Sequence, residues 1–117
     1  MKRILVVDDE KNIQELYKTA LEAEGYEVSV SNSGKDAQSR LEGEQFDLII
    51  LDIRMPELNG VEFLKDLRSK EPNLPVLICS AYPMYKNDFF TWLADDFIVK
   101  SPDLTELKQK VKKLLAE

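Results

Sequence analysis

The chain has 117 residues, a net charge of −6 and no histidine; a single domain of this length buries about two-thirds of its unfolded surface and folds without disulfide or metal. The negative balance and the lack of a compact basic stripe argue against direct nucleic-acid binding, and without imidazole any acid, base, nucleophilic or metal-binding chemistry falls to carboxylates, lysine, serine and tyrosine. The single cysteine, Cys79, lies in an apolar run and reads as a buried thiol in a reducing compartment, and no apolar run approaches the ~18 residues of a membrane span, so the expected location is cytoplasmic, away from any membrane.

Ile4 to Val7 reads as a first strand and ends on two acids, Asp8 and Asp9. Ile13, Leu16, Tyr17, Ala20 and Leu21 then follow the i, i+3, i+4, i+7, i+8 spacing of an amphipathic helix, with Gly25 as its stop. Val28 to Val30 reads as a second strand, and Ala37 and Leu41 mark a shorter helix opened by Ser33-Gly34. Leu48 to Leu51 is an unbroken apolar run, the pattern of a strand covered on both faces, and it too stops on an acid, Asp52. Val61, Leu64 and Leu67 mark a third helix, opened by Asn59 with Glu62 three residues on, a capping-box pattern. Val76 to Cys79 gives a fourth strand running into Ser80, a fourth helix is expected between Pro83 and Leu93, and Phe97 to Val99 gives a fifth strand ending at Lys100. Leu104, Leu107, Val111, Leu114 and Leu115 mark the last helix, with Ser101 expected as N-cap and Pro102 at the first helical position. Lys108, Lys110, Lys112 and Lys113 form its solvated face, favoured near a helix C-terminus by the dipole.

Five strands alternating with five helices imply an α/β fold: a doubly wound, flavodoxin-like parallel sheet in a three-layer sandwich, with strand order 2-1-3-4-5. Ligands in such sheets bind outside the carboxyl ends of the strands, at the switch point between strands 1 and 3. Those ends carry Asp8, Asp9, Asp52, Ser80 and Lys100. Taken singly, Asp9 reads as a helix cap, Asp52 and Ser80 as turn residues and Lys100 as a surface lysine. Together they are a different matter, because carboxylates within ~4 Å repel by roughly 4 kcal/mol per pair at an effective dielectric near 20. A bound cation resolves that repulsion; Mg²⁺ suits hard oxygen ligands, with Mn²⁺ the alternative. A phosphate cradle of the nucleotide or flavin type does not fit, because "VDDEKN" offers acids where glycine amides are needed. Asp52 as nucleophile, a cation, Lys100 and the Ser80 hydroxyl are the parts of a phosphoryl-transfer site.

The segments "LVVDDE", "DLIILDIRMPELNG", "ICSAY" and "DDFIVK", in this order and over essentially the whole chain, resemble the response-regulator receiver domains of two-component signalling. The resemblance implies a single receiver domain over residues 1–117, a signalling phosphoacceptor rather than an enzyme; no output domain is expected within this sequence, which reads either as a stand-alone receiver or as the receiver of a larger regulator or hybrid kinase. Asp52 would take a phosphoryl group from a histidine kinase or phosphotransfer protein. By the family motif, Asp9 and Asp52 would contact Mg²⁺ directly, Asp8 through water and Arg54 through its backbone carbonyl, while Ser80 and Lys100 would hold phosphoryl oxygens. Ser80 and Phe97 would form the switch that remodels the face of the fourth helix, fifth strand and fifth helix for a downstream partner, an output domain or a second copy. Slow self-dephosphorylation would be tuned by Arg54 and Tyr82.

Two departures from the family pattern stand out. Phe97 lacks the hydroxyl of a tyrosine, so its rotamers would differ in packing alone. After Lys100 the family usually has proline and a cis peptide, whereas this chain has Ser101; a cis Lys100–Ser101 bond costs about 3 kcal/mol, and a trans bond requires Lys100 to reach the site by another route. Tyr82, Tyr85, Phe89, Phe90, Trp92 and Phe97 also gather in one stretch, as a partner surface or a local core. The competing readings are an adaptor that binds partners without being phosphorylated and an aspartyl phosphatase. The phosphatase needs a second acid two places after the nucleophile, where this chain has Arg54.

Overall fold

Each apolar run forms a parallel strand, the central ones as expected of segments with no polar face to offer water. The computed structural model describes residues 1–53, 55, 60–81 and 93–115, without the side chain of Val61. The strands are β1 (Arg3–Val7), β2 (Glu27–Ser31), β3 (Leu48–Leu51), β4 (Val76–Ser80) and β5 (Asp96–Val99), and they form one sheet in the order β2-β1-β3-β4-β5. Register runs through Val7 opposite Ser31 and Leu51, Leu51 opposite Ile78, and Ser80 opposite Val99. All five carboxyl ends therefore reach one edge.

Alternation along the strands divides the core in two. Ile4, Val6, Leu48, Ile50, Leu77, Cys79 and Ile98 face one side, where α1 (Lys11–Ala23) contributes Tyr17 and Leu21 and the C-terminal helix, labelled α4 here (Thr105–Leu114), contributes Leu107 and Val111. Leu5, Val7, Ile49, Leu51, Val76 and Ile78 face the other, against Ala37 of α2 (Gly34–Gly43) and Phe63, Leu64 and Leu67 of α3 (Gly60–Lys70). Full burial of each Leu, Ile or Val contributes roughly 1.5–3 kcal/mol, so the two clusters clamp the sheet from both sides. Four helices stand among the described residues rather than five, because the segment expected to hold the other, between Pro83 and Leu93, lies outside them save its last residue.

The helix ends show which local signals were decisive. At the end of α1, Gly25 has φ +94°, and the N–H groups of Gly25 and Tyr26 donate to the carbonyls of Glu22 and Leu21 at 3.0 and 3.2 Å, the paired bonds of a Schellman stop. Ser33 caps α2 by accepting from the Asp36 N–H at 3.1 Å. The expected opening of α3 at Asn59 falls outside the described residues. The expected opening of the last helix is corrected. It begins at Thr105, where Asp103 accepts from both the backbone N–H and the hydroxyl of Thr105 at 2.9 and 2.6 Å. These bonds hold the Asp103 carboxyl below its ordinary range. The N-cap position is Leu104, which makes no side-chain cap bond, and the Ser101 hydroxyl accepts from the Asp103 N–H in the approach to the helix. Leu16, expected in the apolar stripe of α1, is exposed.

One polar pair lies within the core. The Tyr17 hydroxyl and the Cys79 Sγ are 2.9 Å apart and both side chains are buried. Burial pushes the Cys79 thiol up to about 11, a rise that the hydrogen bond to Tyr17 offsets only in part. Two outcomes are expected. Gly25→Ala should lower unfolding stability by about 1 kcal/mol, measured by denaturant titration, because a Cβ is strained at that positive φ. Native Cys79 should resist iodoacetamide at pH 8 and react at a free-thiol rate only after denaturation, since the folded thiol stays protonated until the pH climbs towards 11.

Candidate functional site

Three residues of the site stand one step past the end of a strand and still hydrogen-bond to the neighbouring strand. The Asp8 N–H donates to the Ser31 carbonyl at 3.0 Å, the Asp52 N–H to the Val7 carbonyl at 2.9 Å and the Lys100 N–H to the Ser80 carbonyl at 2.6 Å. The sheet ladder thus fixes the Cα positions of the groups that meet at its edge. Fully buried strands β1, β3 and β4 leave the apolar side chains no alternative register, because a one-residue slip would turn each core face over.

The side chains meet around one ammonium. Lys100 Nζ lies 2.9 Å from an oxygen of Asp8, 2.9 Å from an oxygen of Asp52 and 3.2 Å from an oxygen of Glu10. The Asp8, Asp52 and Lys100 side chains are only 3, 4 and 11 % exposed, whereas Glu10 is 61 % exposed. Desolvation alone would drive the lysine towards neutrality, but its bonds and attraction to Asp8 and Asp52 more than offset this and carry its pKa above the ordinary value. The Asp8 carboxyl moves the other way from a simple salt bridge. Burial raises its pKa, and the hydrogen bonds from Lys100 and from the Glu10 N–H, 2.8 Å away, do not bring it back.

Asp9 is exposed and does not cap α1. The N-cap position of that helix is Glu10, which makes no side-chain cap bond, and it is Asp8 that orders the turn. One carboxylate oxygen from each of Asp8, Asp9, Glu10 and Asp52 lies within 4.8 Å of the others. This set of hard oxygen donors at the carboxyl edge of the sheet fits Mg²⁺ in kind, since that ion binds through a few carboxylates and keeps waters for a phosphate oxygen to replace. Four carboxylates around one ammonium leave room for further positive charge.

Of the other residues singled out by the sequence, Ser80 is buried at the end of β4, with its carbonyl on the Lys100 N–H. Phe97 is half-buried against the α2 and α3 side of the sheet, and its carbonyl accepts from Lys110 Nζ at 2.8 Å. Arg54, Tyr82, Tyr85, Phe89, Phe90 and Trp92 lie outside the described residues. The Lys100–Ser101 peptide is trans, and Lys100 nonetheless reaches Asp8 and Asp52. Glu10 was not singled out by the sequence, though its place directly after the acid pair was the available signal.

Residues 4–112 match the response regulator receiver domain family. The chain is 35% identical over 117 residues to the regulatory protein AtoC of Escherichia coli, covering 98% of this chain and 25% of that protein. It is 37% identical over 120 residues to the alkaline phosphatase synthesis transcriptional regulatory protein PhoP of Bacillus subtilis, covering 97% of this chain and 48% of that one. The chain therefore spans between a quarter and about half of these relatives. Among solved structures, it is similar to the response regulator protein TrrA of Thermotoga maritima in complex with Mg²⁺-BeF, with 46% identity, a TM-score of 0.91, and 97% and 99% of the two chains covered. It is equally similar to a chain in the structure of the histidine kinase ThkA in complex with TrrA, with 46% identity, a TM-score of 0.90, and 98% and 99% coverage.

The raised pKa of Asp8 has a consequence for metal-free protein. A carboxyl whose folded pKa lies above its unfolded value, near 3.8, contributes stability that is complete below that value and is lost as pH rises through the folded pKa. Asp8→Asn, which stays neutral throughout, should therefore be more stable than the parent at pH 7 in the presence of a chelator. Denaturant titrations from pH 7 down to pH 4 should show that advantage shrinking.

Proposed function

The chain belongs to the response regulator receiver domain family, and on that premise we propose that it is a phosphorylation-controlled switch accepting a phosphoryl group on Asp52 from a histidine kinase or phosphotransfer protein. The observation that supports this most is the pairing of Asp52 with Lys100: a nearly buried carboxylate at the end of β3, held 2.9 Å from an ammonium that is itself almost enclosed. The donor histidine must lie outside these 117 residues, which contain none.

In the proposed transfer an Asp52 carboxylate oxygen attacks phosphorus, forming the O–P bond as the P–N bond to the donor imidazole breaks and the bonding pair leaves with the imidazole. Lys100, already beside the nucleophile, neutralises charge on the equatorial oxygens, and the Ser80 hydroxyl donates a hydrogen bond to one of them. Asp9 and Asp52 directly, Asp8 through water and Arg54 through its backbone carbonyl would hold Mg²⁺, which when bound would neutralise further charge on the phosphoryl oxygens; Mn²⁺ has the same ligand preferences. Loss of the acyl phosphate to water is the reverse of the gain in signal, and Arg54 and Tyr82 are the side chains proposed to slow it.

The readout proposed for the signal runs through Ser80 and Phe97 to the surface of β5, the C-terminal helix and the segment between Pro83 and Leu93, where a downstream protein, an output domain or a second copy docks. A cytoplasmic setting without direct nucleic-acid or membrane contact belongs to the same reading; among the described residues no helix is long and apolar enough to cross a membrane. Incubation with acetyl phosphate followed by intact-mass measurement tests the chemistry. The expected result is a gain of one phosphoryl group that requires Mg²⁺ and is absent in Asp52→Asn. No gain under any condition would favour the adaptor that works unphosphorylated.

A further inference from the structure

Glu10 has no role in the chemistry above, yet it shares the ammonium on which the site is built. Its carboxylate lies 3.2 Å from Lys100 Nζ across 90 positions of sequence, and it is the exposed member of the three acids that contact that atom. The other two contacts are to Asp8 and Asp52, each through the oxygen named Oδ2. A divalent cation drawn to the same carboxylates competes with the ammonium for them, because two positive charges on shared oxygens repel. Lys100 must then give up part of its hold without leaving the site, since the proposed transfer needs it there.

From this we infer that Glu10 is a positioning residue: it retains the Lys100 ammonium at the edge of the site when a divalent cation engages Asp52 directly and Asp8 through water. The inference rests on the cation-site reading given above. Three features support it. Glu10 is already in contact with Nζ, so no rearrangement of the backbone is needed. Its exposure leaves its side chain free to follow the ammonium outwards. Its backbone N–H is anchored to Asp8 Oδ1 at 2.8 Å, which keeps the residue beside the pocket while its side chain moves.

A double-mutant cycle on Mg²⁺ affinity, measured by titration calorimetry on the whole chain, separates this role from simple attraction of the cation by a nearby negative charge. Glu10→Gln in the parent background should weaken Mg²⁺ binding by about two- to five-fold, the range of a partly exposed ion pair. In a Lys100→Met background the same substitution should cost distinctly less, because the ammonium through which Glu10 acts is gone. Equal losses in both backgrounds, or none in the parent, would overturn the inference. A second readout needs no Lys100 variant: in Mg²⁺-loaded protein the Lys100 ammonium protons should exchange with water more slowly in the parent than in Glu10→Gln, and equal exchange would overturn it too. If the parent itself binds no Mg²⁺, the cation-site reading has failed and this inference falls with it, an outcome distinct from an additive cycle in a protein that binds.

Discussion

The sharing of the Lys100 ammonium between the buried carboxylates of Asp8 and Asp52 is the interaction on which the functional edge of this protein depends. Acids so close together are costly to enclose, and the structure reduces that cost with the positive charge of Lys100, drawn from the far end of the sequence. The arrangement is incomplete in electrostatic terms. Asp8 keeps a raised pKa despite its bond to Lys100, which means that burial of its charge has not been fully offset. A site left in this condition is poised for more cationic charge and, with it, for an anionic group that the cations can hold together.

The rest of the fold follows from the need to fix those groups. A parallel sheet enclosed by helices on both faces has a rigid interior and a polar rim at the carboxyl ends of its strands. Here the rim residues remain part of the ladder, with the N–H groups of Asp8, Asp52 and Lys100 each bonded to the adjoining strand. The side chains are short or buried, and their Cα positions are set by backbone pairing, so the site is pre-organised by the same contacts that stabilise the core. Separation of roles between the two core clusters serves the same end: α1 and the C-terminal helix brace one face, α2 and α3 the other.

Much of this was legible in the residues because the physics is local and strong. The apolar runs ending in Asp8, Asp52, Ser80 and Lys100 read as strands, the unbroken Leu48–Leu51 run as one covered on both faces, and their alternation with helical spacings pointed to parallel order. Gly25 and Ser33 acted as their side chains require. Other features depend on competition that a sequence does not display. Ser101 fits the pattern of a cap, and only the folded geometry shows the last helix starting at Thr105, with Asp103 bonded to that residue from the turn before it. Leu16 fits the apolar spacing of α1 but sits at the margin of its buried stripe, and the register of the helix on the sheet decides its exposure. The missing proline after Lys100 left the peptide geometry open; the trans bond shows that the reach of a long side chain is sufficient without it. Glu10 escaped notice because a third acid in a row reads as a solvated helix start until Lys100 is brought to it.

The central claim is that the excess negative charge at the carboxyl edge is a working feature rather than a residue of composition. It is tested most directly by unfolding the chain in denaturant at pH 7 across a series of Mg²⁺ concentrations at constant ionic strength. A cation bound only by the folded edge stabilises by an amount that grows with the logarithm of free Mg²⁺ once the site fills, and the account predicts a rise of this form that is strongly reduced when Asp52 is replaced by asparagine. An unfolding midpoint that does not respond to Mg²⁺, or that responds equally without the Asp52 charge, would contradict it.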